Sequence, residues 1–204
     1  NFDDERLWAA AELFILTQDA EYLGVFNQLS ALSSVKVNVP SWRRVATLAY
    51  ISLLAKGETL MPQADYDRVK SVFLGLADTF LAQSQASAYA VAMEPADFVW
   101  GGNAVALNKA MILLNAFSIS GNANYKKAAT GLLDYTLGRN PVDYSFVTGH
   151  GVKTPMDPHH RQSYADTIKL PVPGFLVGGP QPGQQDGCSY PSSLPAKSYL
   201  DNWC

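Results

Sequence analysis

The sequence predicts an all-α protein in which helical hairpins precede a long loop region. Six segments within residues 1–138 carry apolar residues at helical spacing. Segments that are apolar all round alternate with amphipathic ones, as in barrels that have an inner and an outer ring of helices. Beyond residue 138 the composition changes, because residues 139–204 hold nine of the twelve prolines, both cysteines and all three histidines.

The first three helices are predicted over residues 3–17, 20–32 and 41–55. Asp3 and Ser41 are in position to cap the first and the third, since short polar side chains before an apolar periodic segment favour a helix start. Gly57 follows the third segment, and a glycine at that position favours a helix end.

The remaining helices are predicted over residues 65–85, 104–118 and 124–137. The fourth carries a regular apolar stripe. It consists of Tyr66, Val69, Phe73, Leu76 and Phe80. Asn103 is in position to cap the fifth helix, whose only charge is Lys109, so this helix is expected to be buried on most sides.

Charge and hydropathy exclude several classes of protein. A net charge of −3 and a pI near 5.5 argue against a nucleic-acid partner, since affinity for phosphates rests on clustered Lys and Arg. The most apolar segment, residues 104–117, is too short to span a bilayer and contains polar residues, which argues against a membrane partner. An apolar content of 48% with low net charge also excludes a disordered chain.

The loop region, residues 139–204, is the natural place for a binding cleft. Most loops are about 4–6 residues long, and much longer ones are usually functional or disordered. This one is too aromatic to be a free tail. Its aromatic residues include Tyr144, Phe146, Tyr164, Phe175, Tyr190, Tyr199 and Trp203.

The densest polar cluster in the loop region is Asp157–Arg161. In an extended stretch, His159 and Arg161 point to one side and His160 to the other, so an imidazole and a guanidinium can donate to sugar hydroxyls or a carboxylate. An equally weighted alternative is that one histidine packs in the core while Arg161 binds loop carbonyls. A zinc site of Asp157, His159 and His160 is a further alternative, although no partner pair of ligands is present.

Carboxylates in the loop region could also serve acid–base chemistry, which needs two of them flanking the scissile bond. They are Asp143, Asp157, Asp166, Asp186 and Asp201. Asp201 is the one in an aromatic setting, between Tyr199 and Trp203. The alternative for each is an Asx turn or a helix cap.

Trp100 stands beside two glycines just before the apolar helix, where its indole offers a flat face for a sugar ring with Asn103 as a polar neighbour. The alternative is that this indole only closes one end of the barrel.

Cys188 and Cys204, the only cysteines, have no metal-site spacing and are compatible with one disulfide in an oxidising compartment, worth roughly 3 kcal/mol. Two reduced thiols in a cytosolic protein are the alternative.

Several segments, taken in order, resemble the signatures of glycoside hydrolase family 9, the cellulase family. They are DERLWAAAEL (4–13), WGGNAVALNKAM (100–111), DYTLGRNP (134–141), SFVTGHGVK (145–153), PHHR (158–161), PGFLVGGP (173–180) and YLD (199–201). The resemblance spans essentially the whole chain. It implies an (α/α)6 barrel of twelve helices, of which this chain supplies about six, and inverting hydrolysis of β-1,4-glucans by a secreted endoglucanase.

Carried over position by position, the resemblance assigns His159 and Asp201 to the catalytic centre. His159 is expected to hydrogen bond to the glucose next to the scissile bond, and Asp201 to support the site. The residues expected to bind substrate are Trp100, Asn103, Arg161 and Tyr199. Asp4 matches a position where some members of the family bind a structural calcium; no cofactor is expected for the chemistry itself.

The family's acid, a glutamate nine positions after the aspartate matched by Asp201, and its base aspartate have no match in these 204 residues. We therefore expect the chain to be the C-terminal part of one catalytic domain, incomplete at both ends and inactive alone. Appended carbohydrate-binding or Ig-like modules are compatible with the resemblance. The alternatives are a non-catalytic β-glucan-binding relative and an exo-acting member that cleaves another β-linked sugar.

Overall fold

Helices dominate the computed structural model, which describes residues 2–165 and 167–202. That part of the chain contains α1 (Asp3–Thr17), α2 (Ala20–Ser30), α3 (Ala46–Ala55), α4 (Gln63–Ala86), α5 (Gly102–Ser120), α6 (Ala123–Thr136) and α7 (Arg161–Ala165). Two single-turn 3-10 helices cover Pro95–Asp97 and Pro195–Lys197. No β-strand occurs among the described residues. Of their helices, none is both long and apolar enough to cross a membrane.

The chain divides into two compact units. The first comprises Asn1–Leu81 and Met111–Lys126, and the second comprises Ala82–Ala110 and Lys127–Cys204. The six long helices match the six predicted ones, and three of them (α4, α5 and α6) contribute residues to both units. The candidate site described below lies wholly in the second unit.

The first unit is built on α1, which packs against α2 and α3. Leu7, Ala11 and Phe14 recur on one face of α1 and are buried, as their spacing predicts. Phe26 of α2 meets Tyr50 of α3 edge to face, with ring centroids 5.5 Å apart. Such a pair contributes about 0.5–1.5 kcal/mol beyond the burial of its area.

The apolar stripe of α4 is also confirmed, with one shift. Tyr66, Val69, Phe73 and Phe80 are buried, but Ala77 takes the buried position next to Leu76, which is only half-buried. The change follows from the helical period of 3.6 residues, which carries the buried face from Phe73 to Ala77 and Phe80 at intervals of four and three residues.

Three predicted helix caps are wrong, because the polar side chains concerned have other partners or positions. Asp3 is the first residue of α1, and the cap position is occupied by Phe2. Ser41 forms a tight turn with Arg44, closed by two backbone hydrogen bonds of 2.9 and 3.1 Å, so α3 starts only at Ala46. Asn103 lies inside α5 and donates its side-chain N–H to the carbonyl of Val177.

The loop region is mostly irregular, as predicted, but one short helix interrupts it. Because α7 begins at Arg161, the chain is not extended through His159 and Arg161, and the prediction that both side chains point to one side of an extended stretch is wrong. His160 accepts the N–H of Ser163 at its Nδ1 (3.3 Å) and packs against Phe175 with the two rings tilted by 56° and their centroids 4.6 Å apart.

Candidate active site

The start of the loop region is fixed to the end of α6 by one buried amide. Asn140 donates from Nδ2 to the carbonyls of Tyr135 (2.7 Å) and Tyr144 (2.8 Å), and its Oδ1 accepts the N–H of Val142 (3.2 Å). Satisfying both ends of a buried amide in this way holds the backbone in one conformation, because leaving either end unpaired is costly. The path of the loop is therefore set within a few residues of the helix end.

Two loop segments then pair side by side. The N–H of Val177 donates to the carbonyl of Phe146 (2.9 Å), and the N–H of Thr148 donates to the carbonyl of Phe175 (2.9 Å). Gly149 follows with a φ of +71°, and a Cβ there would lie 2.8 Å from Pro173, so only glycine suits the position. This pairing brings residues 177–179 to one wall of the candidate site.

An aromatic cluster underlies the site. Tyr199 packs against Tyr144 and Phe146, each at a centroid distance of 5.0 Å, and Phe146 also contacts Tyr135 at 5.8 Å. Burial raises the pKa of the Tyr199 hydroxyl well above its ordinary value, and the nearby Asp201 carboxylate raises it further. The hydroxyl therefore stays protonated into the alkaline range and remains available as a hydrogen-bond donor.

Asp201 connects this cluster to the segment that carries His159. Its Oδ2 accepts the hydroxyl of Tyr144 (2.9 Å) and the backbone N–H of Met156 (2.8 Å), and its Oδ1 accepts the N–H of Asp157 (3.2 Å). Hydrogen bonds to a carboxylate are stronger than those between neutral groups. Asp201 thus fixes the backbone immediately before Pro158 and His159.

The predicted residues Trp100, His159, Tyr199 and Asp201 line one cavity of about 150 Å³. Trp100 is 74% exposed, so its ring face is open to a ligand. The other lining residues are Gly101, Asp157, Pro158, Val177, Gly178, Gly179, Gln181, Asp186, Tyr190 and Leu200. Four of the predicted site residues are therefore brought together by the fold.

Two other predicted substrate-binding residues, Asn103 and Arg161, do not line this cavity. Asn103 is only 1% exposed; its backbone N–H donates to Gly178 (3.0 Å) and its side chain donates to Val177 (2.9 Å). It therefore holds the wall of the cavity from behind. Arg161 is exposed at the first position of α7.

Gln181 and Tyr190 line the cavity, but sequence reasoning did not single them out as binding residues. The Nε2 of Gln181 donates to the Tyr190 hydroxyl (3.1 Å), which in turn donates to Asp186 Oδ2 (2.5 Å). No spacing rule relates these three positions. The sequence signal that could have indicated them is the spacing of Asp186 and Tyr190, a carboxylate and an aromatic residue four positions apart in a loop rich in turns.

The carboxylates of the cavity differ in their electrostatic setting. Burial raises the pKa of Asp157, and the like charge of Asp201 raises it further. The hydrogen bond from Tyr190 lowers the pKa of Asp186 despite some burial, with help from the backbone N–H of Cys188. Asp186 therefore keeps its charge to a lower pH than Asp157 does.

Several sequence predictions concern metals and cysteines. Within residues 2–165 and 167–202, no group of three or more His, Cys, Asp and Glu side chains is arranged to hold a metal ion. Asp4 lies in the first unit, where its Oδ2 accepts the N–H of Val45 (3.0 Å), and its calcium role stays a prediction.

Cys188 is disulfide-bonded. Cys204, Asp166 and Trp203 lie outside the described residues.

The sequence model of Glycosyl hydrolase family 9 matches residues 1–204. The chain belongs to this family. A xyloglucan-specific endo-β-1,4-glucanase from Bacteroides ovatus is 35% identical over 98% of the chain and 34% of its own length. Endoglucanase D from Acetivibrio thermocellus is 36% identical over 98% of the chain and 32% of its own length. This family 9 chain thus spans about a third of the length of the curated relatives it matches.

Solved structures agree with the family assignment. AaCel9A, solved in complex with cellobiose-like isofagomine, matches 98% of this chain and 38% of its own, with a TM-score of 0.87 and 32% identity. The family 9 protein from Bacteroides ovatus matches with a TM-score of 0.85 and 32% identity, over 98% of this chain and 35% of its own. The predicted fold class, all-α and part of an (α/α)6 barrel, is confirmed.

Proposed function

We propose that the whole protein hydrolyses internal β-1,4-glucosidic bonds in cellulose or a related β-glucan, with inversion of configuration. The observation that carries the proposal is the cavity that combines the open face of Trp100 with the polar groups of His159, Asp157 and Asp186. A sugar ring has an apolar face that stacks on an aromatic side chain and hydroxyls that need donors and acceptors at its edge. The cavity offers both.

The relatives support the substrate class. Two curated relatives at 35% and 36% identity are named as a xyloglucan-specific endo-β-1,4-glucanase and as an endoglucanase. The similar structure AaCel9A holds a cellobiose-like molecule. Each of these names concerns that protein, and together they favour a β-1,4-linked glucan for this one.

Within the reaction, the residues of this chain bind and orient the sugar. We assign His159 to a hydrogen bond with a glucose hydroxyl next to the scissile bond and Trp100 to stacking. Asp201 keeps the segment before His159 in place through its three hydrogen bonds. Inverting hydrolysis needs an acid and a base carboxyl about 6.5–9.5 Å apart, and the family resemblance matches neither to a residue of these 204.

The proposal is tested with the whole protein on a soluble cellulose derivative, xyloglucan and a β-1,3-glucan, with the product anomer followed by proton NMR. We expect turnover on at least one β-1,4-linked polymer, with the α-anomer formed first. Binding without turnover would instead indicate a non-catalytic β-glucan-binding relative. Turnover of the β-1,3-glucan alone would overturn the substrate class.

We also propose that the protein is secreted. The disulfide at Cys188 supports this, because disulfides persist mainly in oxidising compartments. Immunodetection of the protein in cells and in culture medium tests the location; recovery from the cell interior alone would contradict it.

A further inference from the structure

One buried charge in the second unit has no part in the binding scheme above. Lys109 on α5 is 2% exposed. Its ammonium lies 2.6 Å from Asp97 Oδ2, 2.9 Å from the carbonyl of Ala92 and 3.2 Å from Gln83 Oε1. Burying an ammonium is costly unless it is paired and its donors are used, and here each of its three N–H groups has an acceptor.

Backbone hydrogen bonds close the segment 97–102 on itself, and the ion pair connects its first residue to α5. Asp97 Oδ2, which meets Lys109, also accepts the N–H of Glu94 (2.8 Å), and the carbonyl of Asp97 accepts the N–H of Val99 (2.9 Å). The N–H of Gly102 then donates to the carbonyl of Val99 (2.8 Å). A Cβ at position 102 would lie 2.9 Å from the Asp97 carbonyl, so the two ends of the segment are in close contact.

Both ends of this segment are attached to the same helix. Gly102 is the first residue of α5, and Lys109 follows seven residues later, which is about two turns and the same face of the helix. Trp100 lies at the tip of the segment and lines the cavity with its ring largely exposed. Little packing holds the indole itself, so its position depends on the backbone that carries it.

We propose that Lys109 and Asp97 are positioning residues for sugar binding, which hold the segment 97–102 so that Trp100 presents its ring face to the cavity. The inference rests on the proposed function, because it requires that a sugar ring of the substrate stacks on Trp100. It requires the pair to act through Trp100 on substrate affinity, and not on the chemical step.

Kinetics of the whole protein on a soluble β-1,4-glucan test this. Lys109→Met is expected to raise KM about fivefold, with kcat within about twofold of the wild type, since a loss of sugar affinity alone is felt in KM. Lys127→Met, which changes an exposed lysine on α6, is the matched control and should leave both constants unchanged. The KM of Trp100→Ala gives the reference value for complete loss of the stacking face.

A double variant shows whether the pair acts through the indole. If it does, Lys109→Met combined with Trp100→Ala has the KM of Trp100→Ala alone. If the fold increases in KM of the two single variants multiply in the double variant, the inference is overturned. It is also overturned if Trp100→Ala raises KM and Lys109→Met leaves it unchanged. If Trp100→Ala leaves KM unchanged while the wild type turns over, the role of Trp100 in the proposed function falls, and this inference falls with it.

Hydrogen exchange without substrate gives an independent readout of the segment. In Lys109→Met the amides of Val99 and Gly102 are expected to exchange at least about tenfold faster, while those of Phe146 and Val177 keep their protection. Asp97→Asn is the second variant if Lys109→Met does not fold, because the amide oxygen still accepts the N–H of Glu94. Unchanged exchange at Val99 and Gly102 in the folded variant would overturn the inference.

Discussion

Asp201 shows how a single carboxylate can hold two distant loop segments together. It accepts hydrogen bonds from one tyrosine hydroxyl and two consecutive backbone N–H groups, those of Met156 and Asp157. Its place between two aromatics singled it out in the sequence. The identity of its partners could not be predicted, since they lie 44 to 57 positions away in the chain.

Removal of these hydrogen bonds is expected to lower the free energy of unfolding by an amount that depends on how many of them are lost. Asp201→Ala leaves three donors without their acceptor and is expected to lower the free energy of unfolding by about 2 kcal/mol. Asp201→Asn keeps one acceptor oxygen and should lose less. Urea denaturation of the two variants and the wild type checks the order; equal stability of all three would contradict the positioning role.

Tyr190 and Asp186 give a second prediction at the same scale. The hydroxyl of Tyr190 is the main cause of the low pKa of the Asp186 carboxyl, because it donates to the charged form. Tyr190→Phe is therefore expected to raise the pKa of Asp186 toward its ordinary value of 3.8. Carbon-13 NMR titration of the side-chain carboxyl measures this, and a pKa that stays low in the variant would be the contrary result.

Helix existence was easier to predict than helix ends. Six apolar periodic segments become six long helices, since burial of one face decides whether a helix forms. The ends depend on what each polar side chain finds nearby. Ser41 is used in a tight turn and Asn103 in a hydrogen bond to Val177, whereas Asp19 does cap α2 by accepting the N–H of Glu21 (2.9 Å).

Within the first unit, a hydrogen bond between α4 and α6 predicts a dependence of stability on alkaline pH. Burial, followed by the hydrogen bond to Asp78, raises the pKa of Tyr125 to about 12 from 10.0. A group whose pKa is raised on folding stabilises the fold below its unfolded pKa, and this contribution is lost as the pH rises through the folded pKa.

Tyr125→Phe should accordingly be less stable than the wild type by about 1 kcal/mol at neutral pH. The difference is expected to hold up to about pH 10 and to shrink as the pH approaches 12. Chemical denaturation at a series of alkaline pH values provides the measurement. A difference that grows over this range would show that another group dominates.

At the scale of the whole molecule, the family assignment and the cavity support the proposed function by different routes. The family follows from motifs spread over the whole chain, whereas the cavity depends on loop segments that only the fold brings together. Four of the residues expected at the site meet there. Gln181 and Tyr190 line the same cavity and form a hydrogen-bond chain with Asp186 that no sequence spacing reveals.

Histidine substitutions test most directly whether this cavity is where the glucan is bound and cleaved. His159 lines the cavity, whereas His150 is an exposed histidine of the same loop region that does not. In the whole protein, His159→Ala is expected to lower kcat/KM on a β-1,4-glucan by about tenfold to a hundredfold, the cost of one strong hydrogen bond, with little change in Tm. His150→Ala should leave both quantities unchanged. A full kcat/KM in His159→Ala, or a loss that only follows a large drop in Tm, would contradict the assignment of this cavity as the active site.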